Sequence, residues 1–164
     1  MLGVPSYGHT FNVASSSAVD GSGNLALNAS FTKNPPTDQT DQCGQPILAV
    51  DTVTFADMIA KGLLKADGTP ASGMKSQFDN CSQTVSPDPF CPVPLLTVPL
   101  HSQPFLYDQT NQTMYSYDDP QSFAEKGRFI VQNNLLGFSM WDLAGDSNGM
   151  LVESLATAAG VTDC

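Results

Sequence analysis

The sequence predicts an α/β fold in which two parallel strands, one near each end of the chain, belong to a sheet that this chain does not complete. Three observations predict it. Apolar strand-like segments at residues 1–11 and 135–141 bracket the chain, and a helix precedes and follows the second of them, an alternation that implies parallel strands with right-handed crossovers. Between them lies a long stretch with its own helix and hairpin signals. Finally, two parallel strands alone leave both edges open and their apolar residues half covered, so the pair reads as part of a larger sheet or barrel.

Taken in order, Met1, Leu2 and Val4 begin a strand, and Pro5, Gly8 and the aromatic residues Tyr7 and Phe11 break its pattern into a loop. Residues 14–46 carry turn chemistry throughout, with Ser15 to Ser17, Gly21 to Gly23 and Asn34 to Pro36. A connection of that length suggests a decorated surface or functional loop. Phe55, Met58, Ile59, Gly62 and Leu63 recur at helical spacing. With Thr54 as N-cap, Asp57 in the first turn and Asp67-Gly68 as the stop, the spacing predicts a helix over 54–65. Residues 104–117, PFLYDQTNQTMYSY, read as a hairpin turning at 108–112. Asp118 or Asp119 then caps a helix with Pro120 near its first position, Phe123, Ile130 and Val131 on its apolar side, and Asn133 and Asn134 at its end. Residues 135–141, LLGFSMW, form the second strand, followed by an acidic loop with Asp142 and Asp146. A last helix over 148–159 turns Met150, Leu151, Leu155 and Ala158 inward.

At 164 residues the chain has room for one domain, and 41% apolar residues suffice for a core. Its formal charge is -10, and the cations Lys33, Lys61, Lys65, Lys75, Lys126 and Arg128 are scattered. Nucleic acid and anionic membranes are therefore poor partners. No apolar run approaches the roughly 18 residues of a membrane span. The opening MLGVPSYG has neither a basic start nor an apolar core, so no export signal is expected in this chain. Acceptor triplets at Asn28, Asn80 and Asn111 and cysteines at 43, 81, 91 and 164 nevertheless suggest an extracellular, glycosylated parent. Four cysteines allow three pairings, of which Cys43 with Cys81 is favoured. Without C-x-x-C spacing or a nearby histidine pair, no metal site is expected.

LGVPSYGHTF at 2–11, FDNCSQT at 78–84, SYDDPQSFAEKGRFI at 116–130 and LLGFSMWDLAGD at 135–146, in that order, resemble fungal chitinases of glycoside hydrolase family 18. The resemblance covers most of the chain. It implies the C-terminal fragment of a (β/α)8 TIM barrel, a partial family domain over 1–164. Residues 2–8 would be the seventh strand, 9–117 an α+β insertion subdomain walling the cleft, 118–134 the seventh helix, 135–141 the eighth strand and 148–159 the last helix. A barrel needs about 250 residues, so these cannot close one.

The resemblance also implies hydrolysis of β-1,4 links between N-acetylglucosamine units, the sugar's own acetamido oxygen attacking while a glutamic acid protonates the leaving oxygen. That acid ends a D-x-x-D-x-D-x-E run. Here the glutamates are Glu125 and Glu153, both on expected helices, so no catalytic residue is assigned and the fragment is expected to be inactive alone. Asp118, Asp119 and Glu125 read as a helix cap and a solvated face. Three residues carry over by position as substrate-binding: Trp141 as the aromatic platform under the sugar, with a core tryptophan as the plain alternative; Tyr7, lining the cleft or simply packing; and His9, where many relatives have arginine. Ser139 stands where a larger apolar residue is common. The family pattern further implies a cis peptide after Trp141. The expected ligand is chitin or a chito-oligosaccharide, with no cofactor, no metal and no obligate protein partner. A secreted chitin-binding protein without catalysis is the alternative, and a small secreted α+β interaction protein is a third reading.

Residues 85–103, VSPDPFCPVPLLTVPLHSQ, are not needed by the family pattern, which runs from Thr84 directly to Pro104. Rich in proline, the segment makes a poor strand or helix. It reads either as a translated intron or as a loop peculiar to this chain. Val85-Ser86 can be encoded by a donor-like GTNAGY, Leu96-Thr97 by a branch-like CTNAC and Gln103 by CAG; in that case Cys91 has no evolved partner.

Overall fold

The computed structural model describes residues 1–26, 29–32, 36–40, 43–44, 46–48, 52–79 and 103–161. In chain order these form β1 (Leu2–Pro5), β2 (Tyr7–Asn12), β3 (Pro36–Thr40), β4 (Pro46–Leu48), β5 (Thr52–Thr54), α1 (Phe55–Ala60), β6 (Lys75–Asp79), β7 (Gln103–Asp108), β8 (Thr113–Ser116), α2 (Pro120–Gln132), β9 (Phe138–Trp141), a 3-10 turn at Leu143–Gly145 and α3 (Met150–Ala158). Among the described residues the strands make three sheets. β1 and β9 pair in parallel, β5-β2-β8-β7-β6 form an antiparallel sheet, and β3 pairs with β4.

One buried cluster joins Val4 of β1, Phe55 and Met58 of α1, Leu106 and Tyr117 of the β7–β8 region, Phe123 and Ile130 of α2, and Leu151 and Leu155 of α3. Each such apolar side chain withdrawn from water stabilises the fold by roughly 1.5–3 kcal/mol before entropy is counted. A second cluster of Val13, Ala18, Leu25, Tyr107 and Met114 lies under the loop that follows β2. There the Tyr107 hydroxyl donates to the Val13 carbonyl at 2.9 Å, so the phenol is satisfied inside.

Several sequence boundaries move. The first strand, expected over 2–8, ends at Pro5, because at Ser6 the chain leaves the parallel pair and re-enters as β2 in the antiparallel sheet. The stretch 14–46 is not all turn: β3 lies within it, β4 begins at its last residue, and Thr32 bridges back to Asn12. The helix expected over 54–65 stops at Ala60. Thr54 is the N-cap and Asp57 stands in the first turn as expected, and the two also cap each other reciprocally, but Gly62 takes a left-handed φ of 71°, which ends the helix early instead of extending its apolar stripe. Asp67 and Gly68 serve a later tight turn, closed by the Leu64–Pro70 bridge.

The hairpin is found as β7 and β8. The helix expected over 118–134 is α2, capped by Asp119 and Ser122 with Pro120 in its first turn and Asn133 as C-cap. Val131, expected inward, is exposed. The strand expected from 135 begins at Phe138, since Gly137 at φ 144° breaks the extended run and Leu136 stands 97% exposed. α3 begins at Met150, not 148, behind the 3-10 turn; Leu151 and Leu155 are buried as expected. Cys81, Asn28, Asn80 and residues 85–102 lie outside the described residues, and with them the Cys43–Cys81 pairing; Cys43 itself is exposed.

Candidate functional site

The C-terminal ends of β1 and β9 carry the site. In parallel α/β sheets, ligands bind just outside these strand ends. The register pairs Gly3 with Ser139 and Pro5 with Trp141, so these four residues share one face. The opposite face, with Leu2, Val4, Phe138 and Met140, meets the core. Trp141 is the chain's single tryptophan, and at 76% exposure it is not a core residue.

Backbone and buried polar groups hold it there. The Ser6 N–H donates to the Trp141 carbonyl at 3.0 Å, and the buried Ser6 hydroxyl donates to the Asp142 carbonyl at 2.5 Å. The Trp141–Asp142 peptide is cis, as the family pattern implies. Asp142 caps the 3-10 turn by accepting from the Gly145 N–H at 3.0 Å. A Cβ on Gly145 would overlap the Ser6 hydroxyl, so only glycine lets the turn close over Ser6. Sequence reasoning missed Ser6, a small polar residue whose only signal is that it follows the strand.

Tyr7 and His9 lie two residues apart on one face of β2, both exposed, with rings edge to face at 5.9 Å. Along the chain the exposed Gly3, Tyr7 and His9 are interleaved with the buried Val4, Ser6 and Gly8. The structure thus sets Tyr7 and His9 on the chain that runs out of β1, whose last residue pairs with Trp141.

The carboxylates are occupied elsewhere. Asp146 accepts from the backbone N–H groups of Ser147, Leu151 and Val152 at 2.7, 3.0 and 3.1 Å, tying the start of α3. Asp118, fully buried, pairs with Lys126 and accepts from the Ser122 hydroxyl at 2.7 Å. Its Oδ2 is buried without a hydrogen-bond partner among the described residues. Burial holds the Asp119 carboxyl above the usual aspartate value despite hydrogen bonds from Ser122, with Asp118 adding to the rise. Burial likewise pushes the Tyr117 phenol well up. Glu125 pairs with Arg128 at 2.6 Å on α2, and Glu153 is exposed on α3. Among the described residues no three His, Cys, Asp or Glu side chains are grouped to hold a metal.

Residues 1–146 match the model of the family described as Glycosyl hydrolases family 18. The chain belongs to that family. A chitinase-like effector of Moniliophthora roreri is 34% identical over 174 residues, which cover 98% of this chain and 37% of the relative. Among solved structures, a chitinase from Rhizomucor miehei superposes with a TM-score of 0.65 at 19% identity, over 97% of this chain and 38% of that one. A family 18 chitinase from Cycas revoluta, solved in complex with (GlcNAc)4, gives 0.54 at 16% identity, over 98% and 33%. This family 18 chain therefore has a chitinase-type α/β fold and spans little more than a third of the length of the relatives it matches.

Proposed function

We propose that this chain is the C-terminal part of a (β/α)8 barrel, with residues 9–117 as its α+β insertion, and that it supplies an aromatic wall for chito-oligosaccharide. The carrying observation is Trp141, 76% exposed at the C-terminal end of a parallel pair, with Tyr7 and His9 on the chain leaving its partner strand. An indole standing free offers a flat apolar surface to the C–H face of a pyranose, while the ring edges and His9 present polar atoms to its hydroxyls. The family, and the GlcNAc oligomer held by the Cycas chitinase, support that ligand.

The role is binding. Glu125 is committed to Arg128 on a helix, Asp142 and Asp146 to backbone N–H groups, so protonation of a leaving oxygen must come from residues outside these. A chitinase-like protein that holds chitin without cutting it fits this inventory, and so does one segment of an extracellular chitinase whose acid lies elsewhere in the polypeptide. The test is retention on insoluble chitin, wild type against Trp141→Ala. Loss of retention by about tenfold or more, equivalent to roughly 1.4 kcal/mol, is expected for a central aromatic anchor. Equal retention of the two proteins would overturn the assignment.

A further inference from the structure

Every polar group of Ser6 is engaged. The residue is 2% exposed and stands where the chain passes from β1 into β2. Its N–H donates to the Trp141 carbonyl at 3.0 Å and its hydroxyl to the Asp142 carbonyl at 2.5 Å. Its own carbonyl accepts from the N–H of Phe55, the first residue of α1, at 3.0 Å. Ser6 thus grips both of the successive carbonyls that follow the Trp141 side chain. It also precedes Tyr7 directly, so the backbones of both aromatic residues meet in it. Trp141, at 76% exposure, has little packing to fix its direction, which leaves the backbone to set it.

We infer that Ser6 is a positioning residue: its hydroxyl fixes the backbone that follows Trp141, and with it the direction in which the indole faces a sugar ring. The inference rests on the sugar-binding reading of Trp141. A buried hydroxyl is costly without a hydrogen-bond partner, and the 3-10 turn is shaped to supply one. A Cβ on Gly145 would stand 2.2 Å from the Ser6 hydroxyl oxygen, so the glycine lets the turn close onto it. The Gly145 N–H reaches the same Asp142 carbonyl at 3.2 Å, and without the Ser6 hydroxyl that carbonyl is left to this longer bond. A ligand must then order an indole that Ser6 otherwise holds in advance, which weakens binding by about threefold to tenfold.

Trp141 is the single tryptophan, so time-resolved fluorescence anisotropy reports the motion of its indole before any sugar is added. Wild type, Ser6→Ala, Ser6→Cys and Ser122→Ala are compared by that measurement, by thermal melting and by affinity for the N-acetylglucosamine tetramer. Ser122→Ala is the control, because it removes another buried hydroxyl, one whose contacts are with Asp118 and Asp119. It should melt earlier and keep wild-type anisotropy and affinity. Ser6→Ala should free the indole and weaken tetramer binding by about threefold to tenfold. Ser6→Cys, which offers only a weak donor, should move both readouts the same way by less, and it carries the test if Ser6→Ala does not fold. Ser6 variants that melt earlier but keep wild-type anisotropy and affinity overturn the inference, and so does a freer indole with unchanged affinity. If wild type binds no tetramer, the sugar reading of Trp141 fails; an indole no freer in the Ser6 variants fails the positioning role separately.

Discussion

The Asp118, Asp119 and Ser122 triplet shows how one residue's setting decides its chemistry. Asp119 caps α2 and Ser122 returns the bond: its hydroxyl oxygen accepts from the Asp119 N–H at 3.0 Å while its own N–H reaches the Asp119 carboxylate at 2.8 Å. Burial, reinforced by Asp118, raises the Asp119 carboxyl above its ordinary 3.8. The folded protein therefore holds that proton more tightly than the unfolded chain does. Its stabilising contribution is complete below the unfolded value and declines as pH rises through the raised one. Asn caps a helix as well as Asp and does not titrate. Asp119→Asn should thus gain stability relative to wild type as pH is raised from the acid side toward neutrality, and Asp119→Ala should lie about 1 kcal/mol below Asp119→Asn at any pH, having lost the cap. Thermal melts across that range check both, and parallel pH profiles for wild type and Asp119→Asn would contradict the first. The cap residues were legible in the sequence, since Asp-Asp-Pro ahead of an apolar stripe is a helix start. Which aspartate caps and which is buried against Lys126 was not, because that choice depends on what packs above the helix.

At the scale of elements, α2 and α3 meet through Gly127. A Cβ there would press against the Leu155 carbonyl and lie 2.9 Å from the Ala158 Cβ. The sequence shows only a glycine inside a helix, which by propensity is unfavourable by roughly 1 kcal/mol relative to alanine. On propensity alone Gly127→Ala would stabilise. Close packing reverses the sign: the substitution should destabilise by about 1–3 kcal/mol, because the helices must part to admit the methyl. Chemical denaturation of wild type and Gly127→Ala decides, and a stabilised variant would show that the helices separate freely. The same lesson explains α1. Gly62 sits at helical spacing, so periodicity counted it inside the helix, whereas the backbone uses it to end one. The break at Ser6 was equally invisible, because alternation of exposed and buried residues runs unbroken from β1 into β2 while the hydrogen-bonding partner changes.

For the whole molecule, the parallel pair decides the behaviour. β1 and β9 have no other strand partner among the described residues, and Trp141, Leu143, Leu136, Val131 and Val161 are all exposed around them. Unpaired strand edges beside apolar surface invite association. The isolated chain should bind a dye specific for exposed apolar surface and self-associate with rising concentration, measurable by light scattering coupled to size exclusion. A monomer that stays dye-free and unfolds in one sharp transition would mean that the parallel pair is adequately covered as it stands. By itself the sequence determined the α/β class, the two terminal strands, the hairpin and the capped helix, since all of these follow from local periodicity and turn chemistry; that Trp141 is exposed was only what the family resemblance implied. Only the tertiary structure decided where strands stop, which glycines end a helix or admit a neighbour, and that the Ser6 hydroxyl comes to rest on the Asp142 carbonyl. Those depend on hydrogen-bond partners and packing surfaces distant in the chain, which no local pattern encodes.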